Sequence, residues 1–289
     1  MSRRRTLKAA VVLTIGTALA AATFGSFAEG APSSDKSPKP SWDPTPKPTV
    51  VLVNGAWSDA ASWSGVIKRL RADGYPVVAP PTGLRSLSDD SAYLASFLKT
   101  IQGPVVLAGQ SYGGSVITNA ATGNSSVKAL VYISAFAPDA GESAADLTAK
   151  FPGTHITTDP AAQVPTALTP VPYTLANGST GIDLYAKAAQ YSDVFLSNRV
   201  SSETAATLAA TQSPIATTGL FEASGPPAWK SVPSWFLISK DDHLIPPATQ
   251  RFMAARAGGH TVEADTPHAA QVTDPGVVTT LIERAASSR

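Results

Sequence analysis

The sequence predicts a three-layer, doubly wound α/β domain with a mostly parallel sheet and an inserted helical cap. Three observations predict it. Short, mostly apolar runs without alternation, such as "TVVLVNG", "GPVVLAGQ" and "VKALVYISAF", read as strands buried on both faces. Stretches of helical periodicity alternate with them, the order of a parallel sheet covered by helices on each side. One long segment, about 137–230, interrupts this alternation and contains no strand of that kind.

The first strand, 49–55, is rich in β-branched residues and closes on a glycine. The helix that follows, 62–74, carries Trp63, Val66, Ile67 and Leu70 on one face and stops at Gly74. A strand at 75–80 comes next. Ser88 is then expected to cap a helix through Tyr93, Leu94, Phe97, Leu98 and Ile101. Strand 103–110, helix 113–123 and strand 127–136 complete the first half. The interrupting segment is rich in Ala, Thr and Pro, and "GIDLYAKAAQYSDVFL" and "SSETAATLAATQ" within it read as helical. Two more strands, 234–242 and 260–265, are each followed by a helix, 246–258 and 274–286. Loops and insertions at the carboxyl ends of parallel strands are where such folds keep their sites. The cap is therefore expected to sit over the site.

Ahead of this domain, at 49–289, lie two segments of another character. Residues 1–28 have a basic start, an apolar centre from about Ala9 to Ala22, and small residues at Ser26-Phe27-Ala28, the layout of a cleaved secretory signal. The run Ser2-Arg3-Arg4-Arg5-Thr6-Leu7-Lys8 is similar to a twin-arginine export motif, with Thr6 where an aromatic is usual, so the route stays open between that pathway and general secretion. A secreted protein is expected, with no stable membrane anchor, because the apolar centre is short and rich in Ala, Gly and Thr. Residues 29–48 are rich in Pro, Ser and Lys and read as an extended linker.

Composition removes several classes of function. With a net charge of +1 over 289 residues, nothing favours nucleic acid or an anionic membrane surface. There is no cysteine, hence no disulfide, thiolate nucleophile or Cys-ligated zinc. The four histidines lack HExxH spacing, and neither a metal nor a cofactor is expected.

What remains is the turn Gly109-Gln110-Ser111-Tyr112-Gly113-Gly114, set between a strand and a helix. In that context G-x-S-x-G is a nucleophile elbow: Gly109 and Gly113 are small because the turn is tight, and Ser111 stands exposed at the sheet's carboxyl edge. The helix amino terminus behind it offers unpaired N–H groups to an oxyanion. A bare helix cap is the competing role for Ser111. A nucleophilic serine needs a base. His155 lies in the cap, His260 starts a strand at the wrong edge, and His243 follows an aspartate in a loop. His268, just after the last strand, is at the right edge. The orienting acid should come from another loop there, and "LISKDDHLIPP" offers Asp241 and Asp242, with Asp265 a less natural third because it is so close to His268 in sequence.

On these residues the chain from about Val50 to Ala286 resembles the α/β-hydrolase superfamily, and within it the small cap-bearing serine esterases and hydroxynitrile-lyase-like enzymes. The stretches that carry the likeness are "VLVNGAW", "GQSYGGSVI", "LVYISAFAPDAGES", "SWFLISKDDHLIPP" and "DTPHAAQVTDP". The resemblance implies that the triad acid is Asp242, in an S-x-x-D-x-x-I-P pattern, giving the order Ser111, Asp242, His268. It implies an oxyanion hole from the backbone N–H of Tyr112 and that of Ala56 or Trp57. It also implies hydrolysis of a small-molecule ester through an acyl-enzyme. Two positions depart from the family: Asn54 stands where His-Gly is usual, and Gln110 where His commonly precedes the serine. The lyases need a lysine after the catalytic histidine, and here that residue is Ala269. Perhydrolase-type side activity, and reuse of the fold as a non-catalytic binding or sensor protein, remain as alternatives.

Overall fold

The structure, a computed structural model, describes residues 46–159 and 161–288. The expected signal at 1–28 and all but the last three residues of the linker lie outside the described residues.

The first half of the chain forms β1 (Thr49–Val53), α1 (Ser64–Ala72), β2 (Val77–Val78), α2 (Leu87–Leu98), β3 (Val105–Gln110), α3 (Tyr112–Ala120) and β4 (Val127–Ile133). The interrupting segment holds α4 (Ala144–Ala149), β5 (Leu168–Thr174), β6 (Thr180–Ala186), α5 (Ala188–Leu196), α6 (Ser202–Ala210), β7 (Ile215–Ala216) and α7 (Thr217–Phe221). The chain then closes the domain with β8 (Ser234–Ser239), α8 (Pro247–Arg256), β9 (His260–Ala264), α9 (Ala270–Thr273) and α10 (Pro275–Ser287).

Six strands make one sheet in the order β2-β1-β3-β4-β8-β9, and every neighbouring pair is parallel. Successive strand residues point to opposite faces, so each run that is apolar throughout feeds two cores. Val50, Leu52, Val106, Ala108, Val131 and Leu237 pack with Trp63, Val66 and Leu70 of the α1 side and Val278, Leu281 and Ile282 of α10. Val51, Val53, Leu107, Tyr132 and Phe236 face the other way, with α2, α3 and the cap. Tyr132 and Phe236 stack there at 4.6 Å. Each such large side chain contributes about 1.5–3 kcal/mol on burial. The outer strands are kept short or half exposed, as edges usually are: β2 has 2 residues, shorter than expected, and β9 buries none fully.

Two local features differ from the sequence reading. Helix α2 begins after Ser86, not at Ser88; Ser86 is extended and its hydroxyl accepts from the Asp89 N–H, leaving Ser88 inside the first turn. The larger difference is in the cap. "GIDLYA" is not the start of a helix but strand β6, paired antiparallel with β5 and β7. Leu184 and Ala186 turn inward while Tyr185 turns out, a period of two. Helix begins only at Ala188. The hairpin turn is built on Asn177-Gly178, with Gly178 at φ +82°, and Pro170 and Pro172 are tolerated because β5 is the edge strand of this small sheet.

Because the main sheet is parallel throughout, the segments after β1, β3, β4, β8 and β9 all emerge at one edge. Among the described residues no helix is long and apolar enough to cross a membrane.

Candidate active site

Ser111 directly follows β3 and precedes the first residue of α3, with φ 54° and ψ −125°. Such a backbone costs about 1–3 kcal/mol in a non-glycine residue and persists only where its surroundings enforce it. Its main chain is tied on three sides: the N–H donates to the Ile133 carbonyl at 3.3 Å, and the carbonyl accepts from Gly114 at 2.9 Å and Phe136 at 3.1 Å. The glycines make the turn possible. A Cβ on Gly109 would lie 2.5 Å from the Gly113 carbonyl oxygen, one on Gly113 would strike the Val53 carbonyl, and one on Gly55 would lie 2.6 Å from the Ser111 Cβ. Ser111 is buried rather than exposed as expected; among the described residues its hydroxyl has no hydrogen-bond partner and does not cap α3.

Asp242 and His268 are brought together from the loops after β8 and β9. The His268 Nδ1 lies 2.8 Å from Asp242 Oδ2, and both side chains are almost wholly buried. The carboxylate is saturated. Its Oδ1 accepts from the N–H groups of Leu244 at 2.8 Å and Ile245 at 2.9 Å, and its Oδ2 also accepts from Gln250 Nε2 at 2.8 Å. These donors replace the water that a carboxylate gives up on burial. Gln250, on α8, was not singled out in the sequence. It is fixed in turn by donating to the Ile245 carbonyl at 2.8 Å and accepting from the Ser239 N–H at 3.0 Å. Beneath it runs a row of hydroxyls, Ser134 to Ser239 at 2.6 Å and Ser239 to Thr266 at 2.7 Å, that stitches the ends of β4 and β8 to the loop after β9.

The other candidate acids are engaged elsewhere. Asp241 and Asp265 both bind the Arg199 guanidinium, at 2.7 and 2.9 Å. His260 sits at the opposite edge, stacked on Trp235 at 4.9 Å. His155 and His243 meet one another and Asp193.

The two halves meet through Gln110. Its Nε2 donates to the His268 carbonyl at 3.2 Å, which holds the histidine backbone beside the elbow. Asn54, the other departure from the family pattern, shapes the loop after β1 by donating to the carbonyls of Gly55 at 3.0 Å and Ser58 at 3.3 Å. On that loop the Trp57 N–H is already bound to the Ser213 carbonyl at 2.9 Å. Neither the Ala56 nor the Tyr112 N–H has a partner among the described residues. Trp57 has φ 57° and is held by the cap: its indole donates to the Leu184 carbonyl at 2.8 Å and its carbonyl accepts from the Tyr191 hydroxyl at 2.7 Å. Tyr191 and Phe195 of α5 pack on one another, and the Phe195 ring lies 5.4 Å from Trp57 and 6.1 Å from His268. A narrow cleft opens here, lined by Trp57, Gln110, Tyr191, Phe195, His268 and Gln271 among others. Two other large aromatics take no part in it: Trp63 lies under the far face of the sheet and Phe221 is exposed.

Below the elbow, the Tyr112 hydroxyl donates to Asp90 Oδ2 at 2.9 Å. Burial pushes the Tyr112 hydroxyl far above its usual range, with the Asp90 charge adding to the effect, so it stays a donor. Burial likewise raises the Asp90 carboxyl, against the hydrogen bond from Tyr112 and those from the Arg85 and Leu84 backbone, which pull it down.

The sequence profile of the alpha/beta hydrolase family matches residues 50–280. A carbendazim-hydrolysing esterase from Nocardioides sp. (strain SG-4G) is 34% identical over 106 residues, covering 32% of this chain and 44% of that protein. The aligned stretch thus spans less than half the length of that curated relative. The crystal structure of polyneuridine aldehyde esterase is similar with a TM-score of 0.70 at 19% identity, over 83% of this chain and 100% of that one. An extracellular alpha/beta-hydrolase from a Paenibacillus species gives 0.65 at 22% identity, over 83% and 100%. A pyrethroid hydrolase from Sphingobium faniae JZ-2 gives 0.64 at 21%, over 83% and 98%. At these identities the structural likeness is one of fold.

Proposed function

The chain belongs to the alpha/beta hydrolase family, and from that premise we propose that it is a serine hydrolase of small carboxylic esters using Ser111, His268 and Asp242. One observation carries the reading: a buried Asp242–His268 pair, its carboxylate fully hydrogen-bonded, held against a strained turn on which, among the described residues, the Ser111 hydroxyl and the Ala56 and Tyr112 N–H groups have no partner. A serine placed only to cap α3 would use its hydroxyl on a helix N–H, and this one does not.

In the reaction, the Ser111 Oγ attacks the acyl carbon as its proton passes to His268 Nε2. Asp242 keeps the Nδ1–H tautomer in place and stabilises the imidazolium. Negative charge gathers on the former carbonyl oxygen, between the Ala56 and Tyr112 N–H groups. The bound state of the Trp57 N–H favours Ala56 for that second donor. His268 then protonates the departing alcohol. Water, deprotonated by the same imidazole, attacks the acyl-enzyme, and the acid leaves as Ser111 recovers its proton. A small substrate suits the aromatic cavity under the cap, and relatives named for hydrolysis of carbendazim and of pyrethroids support the same size class. Export, with residues 1–28 as its signal, is part of this proposal.

The test is a fluorophosphonate label with a p-nitrophenyl ester series of increasing chain length. An adduct on Ser111, and loss of kcat by about 10⁵–10⁶-fold in Ser111→Ala, are expected. An intact, folded protein that takes no label would leave the binding-protein alternative standing, and activity retained in Ser111→Ala would sink the assignment.

A further inference from the structure

Beside the Asp242–His268 pair lies a second cluster that the proposed chemistry does not use. His155 comes from the loop after α4, Asp193 from α5 in the cap, and His243 from the loop after β8. The two imidazoles lie against one another, ring centres 4.1 Å apart and planes tilted by 32°. Both direct Nδ1 at the one carboxylate, His155 to Oδ2 at 2.8 Å and His243 to Oδ1 at 3.1 Å. One ligand atom from each residue falls within 4.8 Å of the others. Four-coordinate zinc, with bonds of about 2.0–2.2 Å, needs neighbouring ligand atoms roughly 3.4 Å apart, so small side-chain rotations suffice.

We propose that His155, Asp193 and His243 form a zinc site that clamps the cap to the loop bearing the Asp242 carboxylate. Two imidazoles and a carboxylate are the donors zinc prefers where thiolates are absent, and they leave a fourth position for water. The surroundings fit the bound form as well. A histidine that ligates through Nδ1 carries its proton on Nε2, and a metal-bound histidine usually donates that proton to a carboxylate. The His243 Nε2 has one at 3.4 Å, Asp241 Oδ1. Asp241 is itself held by Arg199, with Arg199 Nε donating to Oδ2 at 2.9 Å. The backbone is drawn in too: the His155 N–H donates to the His243 carbonyl at 2.6 Å. All three side chains keep some exposure, 45, 42 and 25% for His155, Asp193 and His243, so an ion has a way in. The residues are 38 and 50 positions apart in sequence, which is why no ligand spacing announces them.

The test uses tag-free protein stripped with a chelator and titrated with zinc chloride by calorimetry, alongside thermal unfolding. One zinc per chain is expected, with Tm raised by about 5 °C when zinc is in large excess over its dissociation constant. His155→Ala and His243→Ala should each lose the heat of binding and the Tm rise, while His260→Ala, a histidine outside the cluster, should keep both. His155→Ala is the more informative variant because it leaves the Asp193–His243 pair to hold the fold. A folded wild type that binds no zinc, or a His155→Ala/His243→Ala double variant that still binds one, overturns the proposal. Neither readout passes through ester hydrolysis, so failure here is distinct from failure of Ser111 to react.

Discussion

The acid–histidine half and the serine half of the site are built on opposite plans. Around Asp242 and His268 both oxygens of the carboxylate are met by donors, the turn amides, Gln250 and the imidazole, and Gln250 is itself fixed by the Ile245 carbonyl and the Ser239 N–H. Around Ser111, held at φ 54°, the reverse holds: among the described residues its hydroxyl and the Ala56 and Tyr112 N–H groups have no partner. The first half fixes the imidazole in one orientation. The second is arranged for an oxygen and a charge that exist only once substrate reacts. Preorganised donors lower a barrier because they need no rearrangement when the charge develops. The lesson is that satisfied and unsatisfied groups, read together, mark which part of a site holds and which part waits.

The contrast can be broken most severely at Asp242. Asp242→Asn keeps the shape but offers an amide N–H₂ or a neutral oxygen to the imidazole, favouring the wrong tautomer. A fall in kcat of about 10⁴-fold is expected, with fluorophosphonate labelling of Ser111 slowed in parallel. Labelling at the wild-type rate would mean that the acid half does not act on the serine half.

A milder cut is Gln250→Leu. Asp242 Oδ2 loses one of two donors, and the Ser239 N–H and Ile245 carbonyl lose their partner. Each buried group left unpaired costs about 1–3 kcal/mol, so Tm should drop clearly. Because Gln250 only positions, kcat should fall about tenfold, equivalent to about 1.4 kcal/mol, with KM little changed. A change confined to Tm would make Gln250 a purely structural residue.

How much of this was legible in sequence follows from what each feature depends on. The sheet was readable because residues buried on both faces leave apolar runs without gaps, and the elbow because Gly109 and Gly113 answer to a steric demand within five residues. Asp242 and His268 could be placed at the right edge because strand direction alone puts them there. Gln250 was not, since nothing in a helix marks the one position that faces a neighbouring loop. Asp193 and Tyr191 depend on how α5 lies over the sheet, which local pattern does not fix. The β5–β6 hairpin is different: Asn177-Gly178 announced it, but Pro170 and Pro172 disguised the first strand and the run of Ala after Ala186 drew the helix too far back.

The smallest expected effect probes the support beneath the serine half. Asp90 is the buried acid that receives the Tyr112 hydroxyl, and burial raises its carboxyl above the usual range despite the hydrogen bonds that oppose this. The folded protein therefore holds that proton to a higher pH than the unfolded chain does. Its contribution to stability is full below the unfolded value of about 4 and is lost as pH rises through the folded value. Asp90→Asn removes the titration and keeps an acceptor for the backbone amides, while its amide N–H₂ donates to the Tyr112 hydroxyl in the reverse sense. The variant should therefore gain stability relative to wild type as pH rises from 4 to 7, measured by urea unfolding at each pH, and kcat should change less than at Gln250. If the stability difference were flat across that range, Asp90 would titrate alike folded and unfolded, and burial would not govern its charge. If instead kcat fell as far as in Asp242→Asn, the serine half would prove to be as finely braced as its neighbour, and the contrast between the two would narrow to their hydrogen bonds alone.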